Sequence, residues 1–574
     1  MKKSIIEYGA QQFVYRTLFI VLWLLLFVYI LLFRSNSIIF WFIALSIAAV
    51  VILQTFQAKN GAELTFIRTE IIILCVTLQL MTLVYAGLDN LYWLDSYFEI
   101  AATTSIVKNG WNPNILGSVG PYPSLHFLAA FLWEITGVEL IDIARYIGIL
   151  FSTLSLVFYL LIVETIFKNR KAALFSGIAF IYLFYFVMEA GFGRMPLATT
   201  LFFLCLFLLV KSSNIPSVAI SILIMLCVIA SVFAHLMPLT ILVIYLALLA
   251  LMVNFIRHIM LDSSSMLDRF ESLLPIEMKA PSVTIVLIGI VGILMHFVYF
   301  SYWAQESILH QAFTIIIGVE APRTIGTGGS TSLNWRIFLY GQGMLGFIFA
   351  FIVFKSKALR SNLPSVFFIL FAGLMTALAF ISYYLNIEFI RFTLYIWPFA
   401  LMAMGYFVVK SKQILSSLLL IFFIIINIFG YYPFIYDKSI EREYSAGQWR
   451  RYITYTEKSA VRFGIEKGLT SNVPDEYYAG RHVTTIVGNY YFNQAFLQYK
   501  QIQIILNPQF YHDLYMRPKV KTWFYLSQED RRLLFLRQGI MIVPDTLYLA
   551  YQNTSSMIKL YNNGQVEIYE VSPP

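Results

Sequence analysis

The feature that most constrains this 574-residue chain is a succession of apolar runs, each about as long as a membrane span. A helix that crosses the hydrocarbon core needs roughly 20 mainly apolar residues. Only 12% of the residues are charged, against about 25% in a soluble protein. The sequence therefore predicts a polytopic α-helical membrane protein with about thirteen spans. The predicted spans are 13–33, 37–56, 69–88, 140–166, 172–189, 196–211, 217–233, 236–255, 281–303, 336–355, 363–383, 391–410 and 413–432.

The distribution of lysine and arginine between the spans predicts the orientation of the chain. These residues accumulate in cytoplasmic loops. With a cytoplasmic N-terminus, the inner loops carry basic groups such as Lys168, Arg170 and Lys171, whereas the outer loops hold scattered cations. We therefore expect a multi-pass plasma-membrane protein whose net charge of +9 lies largely in its inner loops. The sequence has no basic helix or RNA-binding aromatic motif, so nucleic acid is not predicted as a partner.

The sequence predicts two domains, a transmembrane domain at 1–432 and an extracytoplasmic α/β domain at 433–574. An odd number of spans puts the second domain outside, and its composition changes to charged and tyrosine-rich residues. Met557–Tyr569 is typical of a β-hairpin that turns at Asn-Asn-Gly. Other β-rich runs are His482–Val487, Gln501–Leu506, Thr522–Leu526 and Ile540–Val543.

The first large outer loop, 89–139, holds carboxylates beside the end of a predicted span. Burying an unpaired carboxylate in the membrane is costly, so these groups need a reason to be there. Asp95 and Glu99 are four residues apart, a spacing that places them on one face of a helix. A helix-start aspartate is also often only a cap. Farther along the loop, 124–137 is too short to cross the membrane and is predicted to lie at the interface.

The loop resembles the corresponding region of the GT-C class of integral-membrane glycosyltransferases. The features that carry the resemblance are the Asp-led helix, the passage Gly110–Pro113, the run Pro123–Gly137 and Arg145 at the next span. The resemblance covers roughly residues 88–166, and the hairpin at the C-terminus is similar to the tails of archaeal members. The class includes protein mannosyltransferases, aminoarabinose transferases and oligosaccharyltransferases. It implies a polyprenyl-phosphate sugar donor, a glycan, lipid or protein acceptor outside the membrane, and membrane lipid as surroundings.

The resemblance also implies roles for the acids of the loop. Asp95 best matches the position of the general base or metal-site carboxylate, with Asp89 as the alternative, and Glu99 and Tyr97 belong to the same helix. A carboxylate can take the proton of an acceptor hydroxyl as the glycosidic bond forms. Ser96 follows where a second acid is expected, which leaves open both the base and the need for a divalent cation such as Mg or Mn on Asp95 and Asp89.

Arginine and histidine residues at outer span ends are the candidates for donor binding. The resemblance implies that Arg391 contacts the donor phosphate, which a guanidinium can grip with two hydrogen bonds; the alternative is an arginine that pairs with Glu388 or extends toward the headgroups. Further candidates are Arg194, a weaker one for the phosphate, and His235 and His126 for the cavity, where each is equally explained as an ordinary polar residue. Glu320 is a candidate auxiliary acid of the cavity, although a solvated carboxylate is the favoured explanation.

Two features of the sequence narrow the reaction. The Trp-Trp-Asp-Tyr-Gly acceptor motif of oligosaccharyltransferases is missing from the tail, so transfer of a single sugar from a polyprenyl phosphate is predicted rather than transfer of a whole glycan. The alternative function is a transporter or flippase of a lipid-linked or anionic solute. Transporters usually place polar residues at the bilayer midplane, whereas here the polar residues gather at outer span ends.

Overall fold

A computed structural model of the protein describes its helices and part of its C-terminal region. The described residues are 2–33, 38–86, 94–111, 122–183, 191–214, 218–247, 250, 283–296, 298, 389–411, 418, 420–427, 477–479, 502–504, 522–527, 557–562 and 566–571. Within them, the side chains of the strands and of some helical residues, Asp95, Tyr97 and Arg391 among them, are not described. The predicted spans 336–355 and 363–383 lie outside the described residues.

The described part of the transmembrane region is helical. The helices are α1 Lys2–Phe33, α2 Ile38–Gln57, α3 Gly61–Ala86, α4 Leu94–Asn109, α5 Ser124–Thr136, α6 Leu140–Phe167, α7 Arg170–Ile181, α8 Arg194–Asn214, α9 Val218–Ala234, α10 Leu236–Ala247, α11 Val283–Met295 and α12 Phe389–Ser411.

Within the described residues, four helical stretches are long and apolar enough to cross a membrane. They are Gln12–Leu32, Ile39–Gln57, Leu140–Phe167 and Arg194–Ser212. Together with the shorter apolar helices, they fit the predicted polytopic membrane protein. The number of thirteen spans and the orientation of the termini stay predictions.

Helix α3 begins eight residues before the predicted span because a capping box sets its first turn. The Asn60 side chain accepts the Glu63 N–H at 2.9 Å, and the Glu63 carboxylate accepts the Lys59 N–H at 2.7 Å. This reciprocal arrangement satisfies two backbone donors that a helix start would otherwise leave open. Helix α7 ends at Ile181, inside the predicted span 172–189, where the Tyr182 hydroxyl donates to the Ala44 carbonyl at 2.6 Å.

The chain divides into two compact units. The first comprises 1–85, 146–324 and 331–437, and the second 86–145, 325–330 and 438–574. In the first unit, α7 packs against α12, where Gly405 faces the backbone of α7. A buried tyrosine links α6 to the same helix, since the Tyr159 hydroxyl donates to the Pro398 carbonyl at 2.9 Å. That hydroxyl contacts the turn of α12 where proline interrupts the helical hydrogen bonds.

The second unit contains α4, α5 and a five-stranded mixed sheet. The strands are β1 Tyr477–Ala479, β2 Ile502–Ile504, β3 Thr522–Ser527, β4 Met557–Asn562 and β5 Val566–Val571, in the order β2-β1-β3-β5-β4. β1 is parallel to β2 and β3, whereas β5 is antiparallel to β3 and β4. The antiparallel pairing of β4 with β5 confirms the predicted hairpin, although its turn at 563–565 lies outside the described residues. The boundary of the predicted C-terminal domain at 433 stays a prediction.

The packing of α7 on α12 yields a first prediction. A Cβ atom added at Gly405 would lie 2.5 Å from the Ala172 carbonyl oxygen, and backbone cannot yield as a side chain can. We expect Gly405→Ala to destabilise the protein by about 1–3 kcal/mol, the usual cost of overpacking. Thermal unfolding in detergent measures the effect. Gly61→Ala is the matched control, because its Cβ would meet only the end of the Arg170 side chain at 3.3 Å. Equal melting temperatures for the two variants would contradict the packing.

Candidate active site

Two helices of the first unit, α8 and α12, begin with an arginine in the first turn. Arg194 is the first residue of α8 and is partly exposed, and Arg391 is the third residue of α12. Pro196 suits the first turn of α8, because a proline there lacks only an N–H that has no partner inside the helix. The two arginines are the residues that the sequence predicts for the donor phosphate.

A buried hydrogen bond holds these two helices together near their starts. The hydroxyls of Thr199 and Tyr395 lie 2.8 Å apart, and the ring of Phe202 meets that of Tyr395 edge to face at 5.1 Å. Thr199 is five residues beyond Arg194 and Tyr395 is four beyond Arg391, which is about 6–8 Å along a helix. The contact therefore lies at a similar depth below both arginines.

A second link agrees with helices that run in the same direction. Tyr159 of α6 meets the Phe203 ring of α8 at 5.9 Å and donates to the Pro398 carbonyl of α12. The order of residues 199 and 203 on α8 thus matches the order of 395 and 398 on α12. In such a parallel arrangement, the N-termini of α8 and α12 lie at one end of the bundle.

Two adjacent helix N-termini form a region of positive potential. The first backbone N–H groups of each helix have no partner within it, and the helix dipole adds a partial positive charge. Anions, phosphates in particular, bind favourably at such ends. With Arg194 and Arg391 in the first turns, this end of the bundle is chemically suited to an anionic group of one or more phosphates.

The interior below this end has hydroxyl groups but no described ion pair. Thr200 donates to backbone carbonyls of α6 and of its own helix, at Phe151 and Pro196, and lies 3.0 Å from Ser155. The four side chains Ser155, Thr199, Thr200 and Tyr395 are all buried. These hydroxyls satisfy one another and the backbone, as polar groups in a membrane interior must.

In the second unit, a buried acid and a buried histidine join α4 to α5. Glu99 is 4% exposed and His126 is fully buried. His126 Nε2 lies 3.0 Å from Glu99 Oε2, an ion-pair distance, and His126 Nδ1 lies 3.0 Å from Thr103 Oγ1. Thr103 is one turn beyond Glu99, so the two α4 residues face the imidazole together. The contact is long-range in sequence and fixes one helix of the loop on the other.

The contacts around this imidazole join the two helices. The Thr103 hydroxyl, which lies 3.0 Å from His126 Nδ1, also donates to the Glu99 carbonyl oxygen at 2.9 Å. Both ring nitrogens of His126 therefore lie against α4 residues. The roles of His126 in the cavity and of Glu99 in the reaction stay predictions.

Helix α5 ends at a glycine, Gly137, in the left-handed conformation. Gly137 has a φ of 66°, and its N–H donates to the Trp133 carbonyl at 2.9 Å. This left-handed position favours glycine and ends the helix. The opposite side of α5 from His126 exposes Phe127, Phe131 and Ile135. A helix of thirteen residues with such a surface agrees with the predicted interfacial segment.

For several other predicted site residues, the structure describes either the backbone alone or nothing. Asp95 is the second residue of α4, one turn before Glu99, and Tyr97 is in the same helix. Asp89 and Glu320 lie outside the described residues. Among side chains that the structure describes, no three His, Cys, Asp or Glu groups come together as a metal site. The predicted cation on Asp95 and Asp89 stays a prediction.

His235 lies between α9 and α10, where it caps the second helix. Its Nδ1 accepts the Met237 N–H at 3.2 Å, and its own N–H donates to the Ser231 carbonyl at 3.2 Å. One ring nitrogen is therefore used by the helix start. Its role in the cavity stays a prediction.

Three residues that join helices, one within the second unit and two within the first, were not singled out from the sequence. Thr103, Thr199 and Tyr395 are hydroxyl residues within helical segments, and such residues are common there as donors to the preceding turn. Thr199 and Tyr395 are separated by 196 positions. Only the arginine that precedes each of them by four or five residues gave a signal.

Known proteins were compared with the chain at the level of sequence and structure. No protein-family model matches it, and no curated protein matches it either. The oligosaccharyltransferase of Archaeoglobus fulgidus in its apo form aligns at 10% identity over 82% of this chain and 71% of its own, with a TM-score of 0.44. The oligosaccharyltransferase AglB of that organism, in complex with an inhibitory peptide and a dolichol-phosphate, aligns at 9% identity over 83% and 72%, with a TM-score of 0.45.

A second kind of protein matches over a larger share of its length. ArnT from Cupriavidus metallidurans, bound to undecaprenyl phosphate, aligns at 12% identity over 88% of this chain and 98% of its own, with a TM-score of 0.38. Oligosaccharyltransferases are one of the kinds of GT-C glycosyltransferase that the loop resembles in sequence, and ArnT is another protein of this class.

The Glu99–His126 pair predicts a strong energetic coupling. Removing one partner leaves the other buried without it, so Glu99→Ala and His126→Ala are each expected to cost about 3–5 kcal/mol of stability. The double variant should lose less than the sum, with a coupling of about 0.5–3 kcal/mol. Free energies of unfolding in mixed micelles give the cycle. Thr104→Ala is the control on the same helix, since Thr104 bonds only its own preceding turn at Ile100. Additive losses would show that the pair does not hold α4 to α5.

Proposed function

We propose that this chain is a membrane glycosyltransferase that moves a sugar from a polyprenyl-phosphate carrier to an acceptor at the outer membrane face. The observation that carries the proposal is the pair of parallel helix starts with Arg194 and Arg391, joined by the Thr199–Tyr395 hydrogen bond. A lipid-linked sugar presents a phosphate at the membrane surface and a hydrocarbon chain within it. A cationic site at the end of apolar helices meets both requirements.

The arginines hold the donor and stabilise the leaving group. As the bond between the sugar C1 and the phosphate oxygen breaks, negative charge develops on the departing polyprenyl phosphate. A guanidinium donates two parallel hydrogen bonds to such an oxyanion, and its charge persists at any physiological pH. Fixed positive groups at the place where charge develops contribute most when they are already oriented.

In this proposal Asp95 is the general base. Its carboxylate takes the proton of the acceptor hydroxyl while the acceptor oxygen forms a bond to C1 on the face opposite the phosphate. The configuration at C1 is therefore inverted, and polyprenyl phosphate leaves as the anion. The Glu99–His126 pair acts as a positioning contact, since it fixes α4 one turn after Asp95. Asp89 is the alternative base.

The proposed orientation has a cytoplasmic N-terminus and an extracytoplasmic α/β domain at 433–574. The basic loop residues support it through their alternation between the predicted spans. The missing acceptor motif of oligosaccharyltransferases supports transfer of one sugar rather than of a preassembled glycan. Membrane lipid surrounds the spans, and a glycan, lipid or protein is the acceptor.

Replacing the proposed base should stop the reaction without harming the fold. Asp95→Asn keeps the size of the side chain but removes the proton acceptor, and we expect the rate of sugar transfer to fall by about 10²–10⁴-fold. Asp142→Asn is the control, because Asp142 is 42% exposed and pairs only with Arg145 at 2.5 Å. The assay uses purified protein in detergent, where vectorial transport yields no product. Wild-type rates in Asp95→Asn would exclude Asp95 as the base.

The phosphate site predicts a separate kinetic effect. A hydrogen bond to a charged group contributes about 1.5–3 kcal/mol, so Arg194→Ala and Arg391→Ala should each weaken donor use by about tenfold to a hundredfold. The measurement is the dependence of the initial rate on donor concentration. Lys211→Ala serves as the control cation, because Lys211 is in the last turn of α8, at the other end of the helix from Arg194. An unchanged apparent affinity for the donor in both variants would refute the assignment of the phosphate site.

A further inference from the structure

Several cations of the first unit gather at the helix ends away from the arginine starts of α8 and α12. We name them the basic cluster: Arg16, Lys59, Arg68, Lys168, Arg170, Lys171 and Lys410. They come from separate parts of the chain, namely α1, the α2–α3 and α6–α7 connections, α3, the start of α7 and the last turn of α12. The sequence pattern places most of them in inner loops but does not bring them together.

Direct contacts join the two connections of the cluster. The Lys171 ammonium donates to the Phe56 carbonyl at 3.0 Å, beside the end of α2. At the start of α3, a Cβ on Gly61 would lie 3.3 Å from Arg170 Nη1. The start of α7 therefore lies against the α2–α3 connection.

Glu164 draws two of the arginines to one point. Its carboxylate contacts Arg68 Nη2 through one oxygen and Arg170 Nε, at 2.7 Å, through the other. Arg68 is 27% exposed and Arg170 is 50% exposed in their side chains. The carboxylate thus orients both guanidinium groups without burying them.

Aromatic rings contact the two members of the basic cluster that belong to α12 and α1. The Tyr406 ring stacks on Phe167 at 4.7 Å, and the Lys410 ammonium lies 5.5 Å from the centre of the Tyr406 ring. On the other side, the Arg16 guanidinium lies 4.3 Å above the Phe66 ring. These cation–π contacts hold charged groups at the boundary between apolar and aqueous surroundings.

The cations exceed the carboxylates at this end. Among the residues whose side chains the structure describes here, the carboxylates are Glu63, Glu70 and Glu164. Glu63 is used by the capping box, Glu70 is buried beside Gln54, and Glu164 contacts Arg68 and Arg170. Lys59 and Lys168 are exposed. The surface is therefore strongly positive and fits an anionic partner.

Neighbouring apolar residues identify the partner as lipid. Leu53, near the end of α2, is 48% exposed, and Phe66, in the second turn of α3, is 38% exposed. Both are within two turns of the cations on helices that are apolar enough to be in a membrane. Charge at this level meets phospholipid headgroups, whereas the adjacent apolar side chains meet acyl chains. A soluble acidic protein would pair with the cations but would leave the exposed apolar side chains of Leu53 and Phe66 without an apolar partner.

We infer that the basic cluster binds the phosphate of an anionic phospholipid in the adjacent leaflet. The phosphate is held by Lys59, Lys168 and Arg170, and the acyl chains lie along the exposed apolar side of α2 and α3. This site is independent of the donor site at the arginine starts of α8 and α12. It gives the protein a preference for membranes that contain negatively charged lipid.

Native mass spectrometry of the purified protein in detergent tests the inference, with dioleoyl phosphatidylglycerol and dioleoyl phosphatidylcholine as probes. We expect phosphatidylglycerol to be retained and phosphatidylcholine to be lost under the same activation. In Lys59→Gln/Lys168→Gln, the dissociation constant for phosphatidylglycerol should rise by about fivefold for each lysine removed. Raising the salt concentration should weaken binding of the wild type in the same direction.

The control removes the same number of charges elsewhere, as Arg145→Gln/Lys559→Gln, and should bind phosphatidylglycerol like the wild type. Equal retention of the two lipids, or wild-type affinity in Lys59→Gln/Lys168→Gln, would overturn the inference. Binding of soluble polyglutamate that competes with phosphatidylglycerol, combined with no preference between the lipids, would overturn it in favour of an acidic protein partner. Melting temperatures of both variants without lipid show whether each is folded.

Discussion

The cost of placing a charge in hydrocarbon determines where this protein can carry out chemistry. Within the described helices of the first unit, the interior links include contacts between hydroxyl groups, such as Thr199 with Tyr395, and hydroxyl-to-carbonyl bonds, such as Tyr159 with Pro398. The ion pairs between its helices, formed by Glu164 with Arg68 and Arg170, are at helix ends. A reaction that needs charge has to use those ends.

The neutral interior also fixes what the ends can do. The Thr199–Tyr395 bond joins α8 to α12 four or five residues after an arginine in each helix, which agrees with arginine-bearing turns at one end of the bundle. A membrane helix that carried only one such turn would offer a single cation and a single dipole. In the proposed function, the hydroxyl contact acts only by joining the two helices that carry the arginines. The Glu99–His126 pair has a comparable part in α4, where a buried contact at 3.0 Å joins the helix that begins with the proposed base to α5.

Local structure was predictable from the sequence to a greater extent than the contacts between helices. The apolar runs indicated α6 and α5 within a residue or so, and the Asn-Asn-Gly turn indicated the pairing of β4 with β5. The end of α7 was not predicted, because the residues after Ile181 continue the apolar pattern and the deciding bond from Tyr182 reaches another helix. Short β1 has no alternation to detect and owes its place to pairing with β2 and β3.

The candidate site shows the same division. Glu99 and His126 were each identified as site candidates, yet nothing in a separation of 27 residues (126 − 99) indicates that they meet. Arg194 and Arg391 were identified through their positions at span ends, whereas the hydroxyl bond that aligns their helices has no local signature. Contacts of this kind depend on how the whole bundle packs, and each partner alone resembles an ordinary helical residue.

The central claim is that the protein cleaves the bond between a sugar and a polyprenyl phosphate. The most direct measurement is to incubate the purified protein in detergent with polyprenyl-phosphate sugars and candidate acceptors, and to follow the lipid by mass spectrometry. We expect free polyprenyl phosphate to appear in equal amount to the glycosylated acceptor, with inverted configuration at C1. Recovery of every donor intact, while liposomes containing the protein move the same lipid across the bilayer, would contradict it.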